Sequence, residues 1–156
     1  MKAPFRTILC PTDLSPVGKL AVSTAYLLAA KGGTVHLVHV DPAPKTGNPL
    51  YPDEKPKGAP TPAQLDALRK DRRAKLEALV PADAATRGVK TELDLIEGED
   101  IPLTVEAAAK AKKAEVIVLG SHGRWGLSRI VHGDSVATRL LHRDDLDVII
   151  VHTDKP

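Results

Sequence analysis

The sequence predicts an α/β fold: a single doubly wound domain over residues 1–156, with a five-stranded, mostly parallel sheet of order 3-2-1-4-5 and helices on both faces. Three observations predict it. Short apolar runs take turns with stretches of helical periodicity along the whole chain. That alternation requires crossover connections, which pack right-handedly onto a parallel sheet. Finally, the chemically unusual segments follow the first and fourth strands, as ligand segments do in doubly wound folds. A length of 156 residues supports one core and is short for two ordinary domains.

Thr7-Ile8-Leu9-Cys10 is a continuous apolar run ended by Pro11, the pattern of a strand buried on both faces. Ser15-Pro16 offers an N-cap and a proline at the first helical position, and Val17, Leu20, Ala21, Thr24, Leu27 and Leu28 recur at helical spacing. Gly32-Gly33 is expected to stop this helix. "VHLVHV", 35–40, is β-branched and apolar enough for a second strand. From Asp41 to Pro62 lie seven of the 13 prolines, so a long surface loop is expected, either a mobile excursion or a lid.

A helix is predicted from about Ala63 to Leu79, with Leu65, Leu68, Leu76 and Leu79 on or near one face, closed by Pro81. "VKTELDLI", 89–96, alternates as an edge or one-sided strand does. Asp100 is placed to cap a helix from about Ile101 to Lys112, whose basic end complements the dipole. A strand over 115–119, a short helix over 135–142 and a last strand over 146–152 complete the set.

Composition narrows the function. Hydrophobic residues are 42% and charged residues 27%, the balance of a soluble globular protein. A formal charge of +2 from 22 basic and 20 acidic residues, with 3% aromatics, argues against nucleic acid as a partner. The apolar run near the N-terminus is too short for a signal core or a membrane span. A cytoplasmic protein without membrane contact is therefore expected, and the lone Cys10 is read as a small core residue.

Two segments carry chemistry: "PTDLS" after the first strand, and "GSHGRWGLSRIVHGDSV", 120–136, after the fourth. If those strands are neighbours, both line one crevice. Glycines let backbone N–H groups approach a ligand, so Gly120, Gly123 and Gly133 suit a phosphate cradle, with Ser121 and Ser135 adding hydroxyls; they also suit a tight turn with ordinary caps. Neither the GxxxxGK[ST] loop nor the GxGxxG fingerprint is present. Arg124 and Arg129 would offset ligand charge or simply be solvated. The six histidines show no zinc-like spacing, so no metal site is expected on the chain, and no catalytic residue stands out.

"ILCPTDLS", "VHLVHV" and the 120–136 stretch together resemble the universal stress protein family over nearly the whole chain. The Gly-x-x-Gly-x9-Gly spacing from Gly120 through Gly123 to Gly133 carries the resemblance furthest. It implies an adenine nucleotide as ligand, ATP with a divalent cation such as Mg or Mn, with AMP or cyclic AMP as alternatives. Pro11 and Thr12 would wall the base pocket, Asp13 would bond the ribose, and the backbone around Val40 would meet the adenine edge. Gly120, Gly123, Gly133 and Ser135 would hold phosphates, with Ser121, Arg124 and Val136 completing the set. The resemblance also implies a regulatory role and a homodimer, for which the last strand, 146–152, offers an open edge.

One residue departs from the family pattern. Asp134 stands between Gly133 and Ser135, where serine or threonine ordinarily follows the third glycine. A carboxylate about 4 Å from a phosphate oxygen opposes binding by about 4 kcal/mol at an effective dielectric near 20, before screening or metal compensation. Asp134 would cap the short helix or help hold a cation instead. The alternatives are thus a nucleotide-free dimeric interaction protein of the same fold, or a slow ATP hydrolase.

Overall fold

The computed structural model describes residues 4–16, 18–42, 50, 58–120 and 136–152. Its elements are β1 (Phe5–Pro11), α1 (Gly18–Leu28), β2 (Ala29–Pro42), α2 (Pro62–Leu79), β3 (Lys90–Gly98), α3 (Ile101–Ala111), β4 (Val116–Gly120), α4 (Val136–Leu141) and β5 (Asp147–Val151). The sheet order is β3-β2-β1-β4-β5, as expected, and every pairing is parallel rather than mostly so.

Period-two alternation divides the core. Ile8, Cys10, Val35, Leu37, Val116 and Val118 point to the face covered by α1, where Ala21, Val22 and Tyr26 meet them, and by Leu76 of α2. Leu9, Val38, Val40, Ile117 and Leu119 point to the opposite face, against Val105 and Ala109 of α3 and Val136, Ala137 and Leu140 of α4. Ile8 and Leu9 are wholly buried, and each such aliphatic side chain stabilises the fold by roughly 1.5–3 kcal/mol. Central β1 therefore reads as an unbroken apolar run, whereas edge strand β3 alternates.

The structure departs from the sequence-based elements in three places. First, α1 ends at Leu28 and β2 begins at Ala29, so Gly32-Gly33 lies inside the strand and does not stop the helix. The register jumps there, from Phe5↔Ala29 to Thr7↔Thr34, which marks a bulge. A Cβ on Gly33 would stand 2.8 Å from the carbonyl oxygen of Arg6 and 2.9 Å from that of Ala30, so close backbone approach demands glycine.

Second, Ser15 does not cap α1. Its Oγ is buried and makes no hydrogen bond among the described residues, while its carbonyl accepts the Gly18 amide at 3.0 Å. Third, Asp41 and Pro42 belong to β2, so the strand reaches into the segment expected to be loop. Residues 43–49 and 51–57 of that segment lie outside the described residues. Its far end carries a capping box that the hydrophobic pattern did not reveal: Thr61 Oγ1 accepts the Gln64 amide at 3.2 Å, and Gln64 Oε1 accepts the Thr61 amide at 2.8 Å. Asp100 caps α3 as expected, accepting the Leu103 amide at 2.9 Å.

Candidate functional site

The sheet is wound outward from β1 in both directions, through β2 to β3 and through β4 to β5, so the winding reverses between β1 and β4. These two strands pair at Ile8↔Val116 and Leu9↔Ile117. Continuing that register brings Pro11 beside Leu119 and sets Gly120 level with Thr12. The two unusual segments therefore start from neighbouring strand ends, as the sequence required.

The turn after β1 is held by a dense set of bonds. Thr12 is 3% exposed, and its amide donates to the Val38 carbonyl at 2.8 Å, extending the β1–β2 ladder by one residue. Its Oγ1 accepts the Leu14 amide at 3.1 Å, and Asp13 Oδ1 accepts the Ser15 amide at 2.9 Å. Asp13 thus forms the Asx-turn that short acidic side chains favour, and the residue is half-buried. Leu14 takes a positive φ of 64°, a conformation that side-chain-bearing residues adopt at a cost of about 1–3 kcal/mol. Gly18 lets α1 start against this turn, because a Cβ there would lie 2.7 Å from Thr12 Oγ1.

A polar chain behind the turn was not anticipated from the sequence. His39 Nδ1 lies 2.8 Å from the Thr12 carbonyl oxygen, and because a carbonyl only accepts, Nδ1 carries the proton. His39 Nε2 is 3.1 Å from Asp41 Oδ1, and Asp41 Oδ2 is 2.7 Å from Arg72 Nη1 of α2. His39 and Asp41 are both buried. The His39–Asp41 contact is a close approach rather than an in-line hydrogen bond, so Asp41 is held chiefly by its ion pair with Arg72, which ties α2 to the strand beside the candidate site. The signal was present in the two-residue spacing of His39 and Asp41, which puts them on one strand face.

Cys10, one residue before Pro11, is wholly buried, and burial pushes its thiol up to about 12. It supplies no thiolate to the crevice.

Of the sequence-predicted residues, Pro11, Thr12, Asp13, Val40, Gly120 and Val136 fall among those described. Pro11 and Gly120 end their strands, and Asp13 follows. Val40 lies beyond Val38 on β2, paired with Ile96 of β3, and buries its side chain against the α3 and α4 face. Val136, the first residue of α4, is buried in the same cluster as Leu9 and Leu119. Arg139 of α4 reaches Asp100 Oδ2 at 2.8 Å and ties this helix to the start of α3. The Leu103 amide and the Arg139 guanidinium hold the Asp100 carboxyl below its ordinary value. Ser121, Gly123, Arg124, Gly133 and Ser135, together with Trp125, Arg129 and Asp134, lie outside the described residues.

These features define a small, all-parallel, doubly wound α/β protein with a candidate ligand crevice at its reversal point. The chain belongs to the universal stress protein family, whose model matches residues 4–152. It is 31% identical over 153 residues to universal stress protein MJ0531 of Methanocaldococcus jannaschii, covering 97% of this chain and 84% of the relative. Among solved structures it is similar to hypothetical protein MJ0577, with a TM-score of 0.73, 20% identity, and 98% and 99% of the two chains covered. A universal stress protein solved in complex with cAMP aligns at a TM-score of 0.61, 21% identity, and 98% and 100% coverage. Another from Archaeoglobus fulgidus, in complex with dAMP, aligns at 0.53, 18% identity, and 94% and 98% coverage.

Proposed function

We propose that this chain binds an adenine nucleotide, ATP accompanied by Mg or Mn, in the crevice between the ends of β1 and β4, as a regulatory ligand rather than a fuel. The observation that carries the reading is the pairing of β1 with β4, which brings the Pro11-Thr12-Asp13 turn beside Gly120. The cAMP and dAMP found in two structural neighbours share an adenine, a pentose and a phosphate, and so support the same ligand class here. In this reading Asp13 accepts hydrogen bonds from the ribose, and the glycine-rich stretch after Gly120 surrounds the phosphates with amides.

In this reading the cation is held mainly by phosphate oxygens and water, as magnesium commonly is. The protein would act in the cytoplasm as a homodimer joined along the β5 edge. Denaturing the purified protein and reading the released small molecules by mass spectrometry tests the ligand, with an adenine nucleotide as the expected finding. Titration calorimetry with ATP and magnesium should give one site per chain, weakened at least tenfold in Asp13→Ala. The Gly133-Asp134-Ser135 sequence favours a second reading, a nucleotide-free interaction protein. That reading prevails if the wild-type chain neither carries nor titrates a nucleotide while Asp134→Gly does.

A further inference from the structure

A cluster of metal-ligating side chains lies away from the crevice, on the sheet face that packs against α3. His36 of β2 stands directly opposite Glu92 of β3, and Asp94, two residues on and paired with Val38, shares the same face. The ligand atoms of His36, Glu92 and Asp94 all lie within 4.8 Å of one another. His36 Nδ1 is 3.0 Å from Glu92 Oε2, and the histidine side chain is only 7% exposed. That nitrogen is buried yet has no in-line hydrogen bond among the described residues, and the same holds for Asp94 Oδ2. A buried imidazole nitrogen that stands close to a carboxylate without an in-line bond is costly unless something else engages it.

At present the charge is met by Lys112, the C-cap residue of α3. Its Nζ lies 3.2 Å from Asp94 Oδ2 and 3.5 Å from Glu92 Oε2. The ammonium balances the carboxylates' charge, but neither Asp94 Oδ2 nor His36 Nδ1 gains an in-line hydrogen bond from it. A divalent transition ion engages all three groups at once. One nitrogen and two carboxylate oxygens match zinc better than magnesium or calcium, which prefer oxygen alone. Zinc bonds of about 2.0–2.2 Å need the three atoms to close up by roughly an ångström. Glu92, 55% exposed on an edge strand, has the freedom to supply much of that movement.

We propose that His36, Glu92 and Asp94 form a binding site for a divalent transition ion of the zinc type, with Lys112 as the resident countercation that the ion displaces. Two carboxylates balance the ion's charge and leave no place for the ammonium, which swings out to solvent. The bound ion ties edge strand β3 to β2, and the fold gains stability with rising ion concentration. The site is independent of nucleotide binding, since its residues lie on β2 and β3 before the strand ends that face the crevice.

The test uses the full chain with zinc chloride as the probe, and magnesium chloride as a control. Calorimetry and thermal unfolding are read for wild type, Lys112→Met, Glu92→Gln and His36→Ala, each first confirmed folded by circular dichroism. The expected order is Lys112→Met at least threefold tighter than wild type, and Glu92→Gln and His36→Ala each at least tenfold weaker, with the thermal shift following the same order. Because His36 is buried, the exposed Glu92→Gln variant keeps the test valid if His36→Ala does not fold. Zinc affinity indifferent to the carboxylate and histidine changes, indifferent to Lys112→Met, or absent from both wild type and Lys112→Met overturns the proposal.

Discussion

Replacing Gly18 with alanine sets two effects of opposite sign against each other. Alanine is favoured over glycine in a helix interior by up to about 1 kcal/mol, and by less in the first turn. Against this, the new Cβ would stand 2.7 Å from Thr12 Oγ1 and 3.7 Å from Asp13 Oδ1. Thr12 is buried and its Oγ1 accepts the Leu14 amide, so turning its side chain away leaves that amide without its partner. An orphaned donor costs about 1–3 kcal/mol, and pushing the helix outward instead costs about the same. Gly18→Ala should therefore destabilise by about 1–2 kcal/mol net.

Urea unfolding of wild type, Gly18→Ala, Thr12→Ala and the double variant isolates the cause. Once Thr12 is alanine the obstructing oxygen is gone, and Gly18→Ala should become neutral or stabilising. The coupling should reach at least about 1 kcal/mol, well above the roughly 0.3–0.5 kcal/mol within which independent sites add. Equal effects of Gly18→Ala in both backgrounds would refute the assignment of this glycine to the turn that holds Asp13.

Two further outcomes follow from burial and charge. Cys10, wholly buried with its thiol at about 12, should resist an aromatic disulfide reagent at pH 8 in native buffer and react at once in urea; rapid stoichiometric labelling of the folded protein would contradict its place in the core. Because the Asp100 carboxyl is held below its ordinary value of 3.8, its contribution is fully present above that pH and is lost as pH falls through the lower folded value. Wild type and Asp100→Asn, which keeps a capping side chain but loses the ion pair to Arg139, should differ in stability at pH 6 and converge toward pH 3, and a difference constant across that range would contradict it.

Much of the fold was legible because the core is sorted by period. The unbroken run at Thr7–Cys10 and the alternation at 89–96 each reflect how many faces a strand buries, whereas in α1 the apolar spacing picked the wrong stripe: Gly18, Ala21, Val22, Ala25 and Tyr26 are buried, while Leu20 and Leu27 are exposed. Gly32-Gly33 misled because glycine ends helices and also permits close backbone approach, and only the partner strand distinguishes these uses. Ser15-Pro16 has the composition of a cap, yet Asp13 Oδ1 captures the Ser15 amide first and bends the chain into a turn. In the candidate site, the neighbourhood of "PTD" and Gly120 followed from topology. The chain from Thr12 through His39 and Asp41 to Arg72 did not, because it joins residues on a turn, a strand and a distant helix. The trio of His36, Glu92 and Asp94 escaped for the same reason: metal-ligand spacing along a sequence detects local clusters, whereas parallel strands assemble theirs across a crossover.

The absence of any residue between α1 and β2 has a mechanical corollary. Gly18 abuts the Asp13 turn at one end of α1, and at the other end the helix passes straight into the strand that bears Val40. Sugar-side and base-side contacts of the proposed ligand would then be linked through one continuous stretch of helix and bulged strand, with no loop to uncouple them.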